Sequence, residues 1–471
     1  MSGGGRFVET VVGATHRGPR VLIIAENASE KFGGEAVLPF QYFKLLRERG
    51  VDVWLVTHSR VREELQEKFP DDVDRLHFVE DSRLHRRLWR AGRNLQPRLR
   101  YITHDLLLRF VTQRAQLRLA RTLVRQHDID VVHQPTPVSP REPSTIANLG
   151  APVVIGPMNC AVDYPRAFRG LEFAVTRTLV AMGRASAPLL NLVFQGKRKA
   201  ALLIVANERS RDAIGAGRHA RVELLPENGI DLDKWQLHRS RDPSTHGCRF
   251  VFVGRLIQSK GADLFIRAFE GLLARGHGEV SALIIGDGPE LPRLRRQAED
   301  AGLLAEHLNQ PGRIFFSGWQ THSEVADLFA TQDCLVFPTL LECGGAVVLE
   351  AMAMEMPVIA SGWGGPADYL DSSCGILISE ESPSLFVSRL VDSMASIASD
   401  PDLRESMGRA GRLKIEQCYT WDSKIDRMLD LYQVAIAHAA GEDAVPHASP
   451  RVGCISGSAM LLCDGDCKEF G

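Results

Sequence analysis

Short runs made only of apolar residues recur along the chain, each followed by turn residues and then by a stretch with helical spacing. The first run is Val21-Leu22-Ile23-Ile24-Ala25; after it come a loop holding Gly33 and Gly34, a helical pattern over residues 36–49 and a second run at 51–56. Strands buried on both faces read as continuous apolar runs, so this series predicts a βαβ unit in a parallel sheet. Residues 130–133, 152–156 and 201–205 predict further strands of that sheet. Beyond a turn-rich segment at 226–246 the rhythm restarts, with strands over 250–254, 282–286, 314–316, 334–337 and 357–360 and helices over 261–275 and 290–304. Two successive arrays predict an α/β protein of two Rossmann-like, doubly wound domains facing a cleft, with ligands beyond the carboxyl ends of the strands. A helix over 420–439, carrying Trp421, Ile425, Met428, Leu429 and Tyr432, is expected to cross back over the interface. The expected division is a flexible leader (1–19), an N-terminal domain (20–235), a C-terminal domain (246–415), the crossover helix (416–440) and a mobile tail (441–471).

Length agrees with two cores, since single cores stop growing near ~250–300 residues and this chain has 471. Hydrophobic residues at 44% and charged residues at 24% are ordinary globular values, which excludes a disordered or membrane-embedded chain. A formal net charge of -2 gives no pull toward nucleic acid, and none is expected as a partner. No apolar run reaches the ~18–20 residues of a spanning helix, and the first residues lack the apolar core of a signal peptide, so a cytoplasmic location is expected. Nine cysteines without paired CxxC sets read as reduced thiols, and Cys463 and Cys467 lack a second pair to make a metal site.

Charge changes the picture locally. Residues 82–127 hold twelve arginines against one acid, Asp105, interleaved with Leu84, Leu88, Trp89, Leu106, Leu107, Leu108 and Phe110. One reading is a surface attracted to anionic head groups; the other is a pair of helices covering the sheet with solvated arginines. A second stretch, 171–199, mixes Phe173, Leu179, Leu189, Leu190, Leu192 and Phe194 with Arg177, Arg184, Lys197, Arg198 and Lys199.

The sharpest chemical pattern is Glu342-Cys343-Gly344-Gly345-Ala346-Val347-Val348-Leu349-Glu350, which follows an apolar strand and opens an apolar helix. Two glycines at a helix start let backbone N–H groups approach an anion, and the helix dipole favours it there. Glu342 and Glu350 bracket that turn, and carboxylates are poor phosphate partners but good acceptors from sugar and ribose hydroxyls. Read alone, the segment is equally a helix-entry loop with two solvated glutamates. A second pattern weighs against that: Gly254-Arg255 through Lys260-Gly261 places a guanidinium and an ammonium at the carboxyl end of the same sheet, where both address a diphosphate. Gly286-Asp287-Gly288-Pro289-Glu290 ends another strand with turn residues, which suits either a base or ribose or a plain chain reversal.

In the order GR-x4-KG, GDGPE, E-x7-E, PVIAS and GGP, the chain resembles the retaining glycosyltransferases of family four, which have the GT-B fold. The likeness runs from Val21 to Tyr432, and Leu225-Pro226-Glu227-Asn228-Gly229-Ile230-Asp231 is similar to the family's entry into its C-terminal domain. It implies that Glu350 holds the ribose hydroxyls, Glu342 lies near the donor sugar, and Arg255 and Lys260 neutralise the diphosphate. Gly33 and Gly34 match the N-terminal glycine loop near the phosphates, and Gly288, Gly344, Gly345, Ala346 and Val347 complete the expected donor site. Glu342, Arg255 and Lys260 are its expected catalytic groups. Two departures from the family stand out. Cys343 and Gly344 stand where many relatives have Gly-Phe, and Met158 stands where many have a histidine, leaving Asn159, Asp163 or His133 to supply the polar contact on the acceptor side. His133 at a strand end reads as structural.

The implied function is transfer of a sugar, with retention, from a nucleotide diphosphate sugar held by the C-terminal domain to a glycan or lipid-linked acceptor on the N-terminal domain. That places the chain in polysaccharide or glycoconjugate biosynthesis, peripheral to the inner face of the membrane. No cofactor is expected, and no metal: the triplets Asp128-Ile129-Asp130, Asp231-Leu232-Asp233 and Asp464-Gly465-Asp466 lie before a core strand, in the linker and in the tail. The alternative is a non-catalytic partner subunit that binds nucleotide sugar without turnover. An epimerase or phosphorylase shares the fold, and a nicotinamide dehydrogenase is disfavoured because no G-x-G-x-x-G follows the first strand.

Overall fold

The computed structural model describes residues 18–32, 34–92, 106–160, 162–171, 174–214, 221–236, 247–379 and 382–442. Gly33, most of the expected leader and nearly all of the tail lie outside these residues, as do Cys463, Cys467 and the triplet at 464–466.

The apolar runs become buried strands. β1 (Val21–Ile24), β2 (Val53–His58), β3 (Leu76–Val79), β4 (Val131–Gln134), β5 (Val153–Met158), β6 (Leu202–Val205) and β7 (Val222–Leu224) form one sheet in the order β3-β2-β1-β4-β5-β6-β7. β8 (Arg249–Val253), β9 (Ser281–Ile285), β10 (Ile314–Gly318), β11 (Cys334–Phe337), β12 (Val358–Ser361) and β13 (Gly375–Ile378) form a second, in the order β10-β9-β8-β11-β12-β13. Every pairing is parallel. Strand order reverses between β1 and β4 and again between β8 and β11, and a crevice opens beyond the carboxyl ends at each reversal.

The pattern of apolar runs does not show β3, β7 and β13. All three are edge strands of three or four residues with half-buried or exposed positions such as His77, Glu223 and Leu377. An edge strand is covered on one side only, so its sequence stays mixed. The helix expected over 290–304 stops at Asp300, because Gly302 takes a left-handed conformation (φ +66°) and Leu304 bridges to Ile314.

The last helix, Trp421–Ala440, leaves the second domain and lies on the first. Trp421, Ile425, Met428, Leu431 and Tyr432 share one apolar cluster with Val21, Tyr42 and Val131. At about 1.5–3 kcal/mol for each large apolar side chain fully buried, this face fastens the two halves together. A polar pin adds register. His133 Nε2 donates to the Gly156 carbonyl (2.7 Å), so Nδ1 is left to accept from the Tyr432 hydroxyl (2.7 Å). Burial pushes the His133 pKa down to about 4, and the neutral ring serves packing.

The two described helices of the arginine-rich insert differ in what they expose. Leu106–Gln126 lays Gln113, Gln116, Ala120, Leu123 and Val124 inward and exposes Arg114, Arg118, Arg121 and Arg125. Arg83–Gly92 exposes Arg83, Arg86, Arg87 and Arg90 together with Leu84 (49% exposed) and Trp89 (56%). Arg93, Arg98 and Arg100 lie outside the described residues. Among the described residues no helix is long and apolar enough to cross a membrane.

Candidate active site

The second sheet's crevice is built from loops that lock one another in place. Beyond β8 the chain passes Gly254 and Arg255, where Leu256 N–H donates to Asp287 O (2.9 Å) and Glu290 N–H to Leu256 O (3.1 Å). A Cβ on Gly288 would lie 2.4 Å from Leu256 O, so Gly288 is what allows this closure. It does not line the cleft itself. Arg255 is exposed there and, among the described residues, its guanidinium has no hydrogen bond or ion pair. The Lys260 ammonium pairs with the Glu342 carboxylate and sits 5.9 Å from the Phe337 ring centroid.

Beyond β11, Gly345 caps the helix Ala346–Ala353 with φ +72°, and no side chain caps the helix start. The uncapped N–H groups of that first turn are the anion-binding feature a helix start offers. A Cβ on Gly344 would come 2.7 Å from Asn228 Nδ2, so the backbone lies close against the interdomain linker. Gly344, Gly345, Ala346 and Val347 line the cleft with Arg255, Lys260 and Glu342. Glu350 is half-buried and does not line the cleft, and its carboxyl makes no hydrogen bond or ion pair among the described residues. Burial pushes its carboxyl up to about 7.

The facing wall comes from the first domain. Gly34, Asn159 and Cys160 line the same cleft, whose volume is about 1150 Å³. Asn159 Nδ2 donates to Glu227 Oε2 (2.7 Å) and to the Cys343 carbonyl (3.0 Å). Asn207 donates to Asn159 Oδ1 (3.0 Å) and to Asp368 Oδ2 (2.7 Å), and Arg209 pairs with Asp368 (3.0 Å). Asn159 thus belongs to a polar bridge between the domains at the floor of the cleft. Met158 is fully buried in the core of the first sheet. Asp163 is exposed, pairs with Arg184 and does not line the cleft. The thiols of Cys160 and Cys343 approach to 3.9 Å across the domains, and burial together with that contact pushes the Cys343 thiol up.

Several charged groups here carry no signal in local spacing. Glu227 lines the cleft, half-buried, and desolvation pushes its carboxyl up to about 7. The Lys424 ammonium donates to the Glu227 carbonyl, lies 4.3 Å from the Trp421 ring centroid, and is pushed down to about 7 by burial. Its position on the apolar face of Trp421–Ala440, between Trp421 and Met428, was the available hint. Glu35, Arg109 and Glu142 also line the cleft and were not singled out. The pair Asp128 and Asp130 holds Arg20 at the amino ends of β1 and β4, and among the described residues no group of three or more His, Cys, Asp or Glu is arranged to hold a metal ion.

Solved structures share the fold over 89% of the chain. Sucrose-phosphate synthase from Thermosynechococcus elongatus superposes with a TM-score of 0.60 at 17% identity, covering 89% of this chain and 99% of that one. A glycosyltransferase from Rickettsia africae superposes with a TM-score of 0.59 at 14% identity, again over 89% and 99%. The fold is GT-B. Within it, residues 233–414, the half that carries Arg255, Lys260, Glu342 and Glu350, match the family model for glycosyl transferases group 1. Over 232 residues the chain is 31% identical to a GDP-mannose-dependent alpha-(1-6)-phosphatidylinositol monomannoside mannosyltransferase of Mycobacterium tuberculosis. It is 25% identical over 247 residues to an alpha-D-kanosaminyltransferase of Streptomyces kanamyceticus. These matches cover 47% and 50% of this chain, and 58% and 61% of the respective relatives.

Proposed function

We propose that the protein is a glycosyltransferase that moves a sugar from a nucleoside diphosphate donor to a glycan or lipid-linked acceptor with retention of anomeric configuration. The observation that carries this reading is the convergence of Arg255, Lys260 and the glycine-led start of Ala346–Ala353 on one cleft at the switch point of the second sheet. Fixed positive potential at a leaving diphosphate is the largest contribution a protein makes to such a reaction. In the proposed step the bond from the anomeric carbon to the diphosphate oxygen breaks as the acceptor oxygen bonds to the same face. The acceptor proton passes to the departing phosphate oxygen, and no protein nucleophile is used. Glu350 holds the ribose hydroxyls, and Glu342 turns from Lys260 toward the donor sugar when the diphosphate takes the ammonium. The cations supply the neutralising charge, so the account requires no divalent metal. GDP-mannose is the first donor to try, given the curated relative that uses it. The test is transfer to a panel of glycosides with the product anomer read by proton nuclear magnetic resonance, before and after exhaustive chelation. Inversion, or loss of turnover restored by magnesium, would contradict the mechanism; donor binding without turnover would favour the partner-subunit alternative.

The acceptor is proposed to be presented at an anionic membrane surface. Arg83–Gly92 supports this, because its exposed arginines surround the exposed Trp89 and Leu84, and a basic side chain close to anionic lipid contributes roughly 1 kcal/mol. Salt-sensitive sedimentation with anionic liposomes, weakened by replacing Arg86, Arg87 and Arg90, is the expected result. No binding at low salt would leave a soluble acceptor.

A further inference from the structure

We propose that the crevice at the first sheet's switch point is the acceptor subsite, where Glu35, with Glu26 and Glu142 behind it, selects an uncharged hydroxylated edge and rejects a phosphorylated one. The proposal rests on the glycosyl-transfer reading above. Beyond the carboxyl ends of β1 and β4 lies a cavity of about 70 Å³ whose walls include Glu26, Asn27, Glu35, Arg109, Gln134 and Glu142. Glu35, Arg109 and Glu142 also line the large cleft, so the cavity opens into it opposite Arg255 and Lys260. A water needs about 10–15 Å³ of such space, so the cavity admits the hydroxyl-bearing edge of a sugar or cyclitol and leaves the ring in the cleft.

Its charge balance sets what can enter. Three carboxylates meet two guanidinia, and both are committed: Arg109 pairs with Glu142 and lies 3.6 Å from Glu26 Oε2, and Arg60, outside the cavity wall, lies 3.9 Å from Glu26 Oε1. Glu35 is exposed at the cavity mouth, its carboxyl makes no hydrogen bond or ion pair among the described residues, and desolvation by the surrounding protein pushes that carboxyl above the ordinary range. The Asn27 amide oxygen is buried in the cavity wall without a partner among the described residues. Free carboxylate and amide oxygens accept from neutral hydroxyls, whereas a phosphate would bring like charge against an excess of carboxylates. Glu35 directly follows Gly34, and both line the large cleft that Arg255 and Lys260 also line. Acidic walls thus provide the repulsive half of specificity.

The experiment uses the full chain and the donor found by the transfer assay. Its acceptor probes are myo-inositol and methyl α-mannoside, set against inositol monophosphate and mannose 6-phosphate. The neutral probes are expected to give kcat/KM at least about ten-fold above their phosphorylated counterparts. Glu35→Gln should raise KM for the neutral probes by about ten-fold, the scale of one hydrogen bond to a charged group, with donor KM unchanged. Glu35→Lys should narrow or invert the preference. Stabilisation of each variant by nucleoside diphosphate in thermal unfolding confirms that the donor half is folded. A wild type that prefers the phosphorylated probes, or a Glu35→Gln variant with unchanged acceptor KM, overturns the subsite while leaving transfer intact. Absence of transfer from every donor overturns both readings together.

Discussion

Beyond β1 and β4 the crevice carries Glu26, Glu35 and Glu142 against Arg109; beyond β8 and β11 it carries Arg255, Lys260 and an uncapped helix start, with Glu342 as the carboxylate that Lys260 holds. Both crevices come from the same reversal of strand order in a parallel sheet. Topology therefore decides where ligands bind, and the loops decide which ligands. In the proposed reaction one crevice takes hydroxyls and the other a diphosphate, and residues of both line one cleft of about 1150 Å³.

The comparison breaks hardest on the cationic side. Replacing Arg255 and Lys260 together by alanine should lower kcat by about 10²–10³, the scale for removing preorganised charge from a developing anion. The circular dichroism of the folded protein should be retained, since the Arg255 guanidinium has no partner among the described residues and the Lys260 ammonium gives up only its pair with Glu342 at the cleft wall. Gly345→Ala comes next. A β-carbon there meets a left-handed backbone and lies 3.2 Å from Glu342 Cγ, so the helix start must shift. About ten-fold weaker nucleotide binding by calorimetry is expected, from strain of ~1–2 kcal/mol.

Glu350 sharpens the same side with a smaller effect. Glu350→Ala should raise the donor KM by several-fold with kcat held, the mark of lost uniform binding. Its titration gives an independent check. The folded carboxyl titrates near 7, above its ordinary value of 4.5. The stability it contributes is therefore complete below about pH 4.5 and is lost as pH rises through about 7. Glu227 has the same sign and window. Glu350→Gln should flatten part of that decline in thermal melts and leave the share belonging to Glu227.

On the carboxylate side the smallest change concerns the pin under the sheet. Tyr432→Phe strands the buried His133 Nδ1 and should cost about 1–2 kcal/mol, a fall of a few degrees in Tm, without altering donor affinity. A change in donor affinity would mean that the crossover helix transmits more than packing.

The two crevices also differed in how well they could be read along the chain. The donor half was legible because its chemistry is local: Arg255, Lys260 and Glu342 each follow an apolar strand within a few residues, and a helix start is made by its own glycines. Central strands were legible for the same reason, since burial on both faces leaves no polar position in Val21-Leu22-Ile23-Ile24. The other half is assembled by topology. Arg109 and Glu142 come from a helix and a loop 33 residues apart, and Glu35 from a third segment. Asp163, an expected acceptor contact, looked available only because its partner Arg184 lies 21 residues away on a helix. Lys424 reads as a surface lysine until the helix is seen to press Trp421 against Tyr42 and bury the ammonium over both rings. The edge strands β3, β7 and β13 escaped because half-covered strands need no apolar run.

The measurement that bears most directly on the account is thermal unfolding of the wild type and the Arg255→Ala, Lys260→Ala double variant across a panel of guanosine, uridine and adenosine diphosphate sugars. At 100 times its dissociation constant, one donor should stabilise the wild type by about 2.7 kcal/mol, and that gain should vanish in the double variant. Equal stabilisation of both proteins, or no stabilisation by any member of the panel, would contradict the assignment of the cationic crevice as the nucleotide-sugar site.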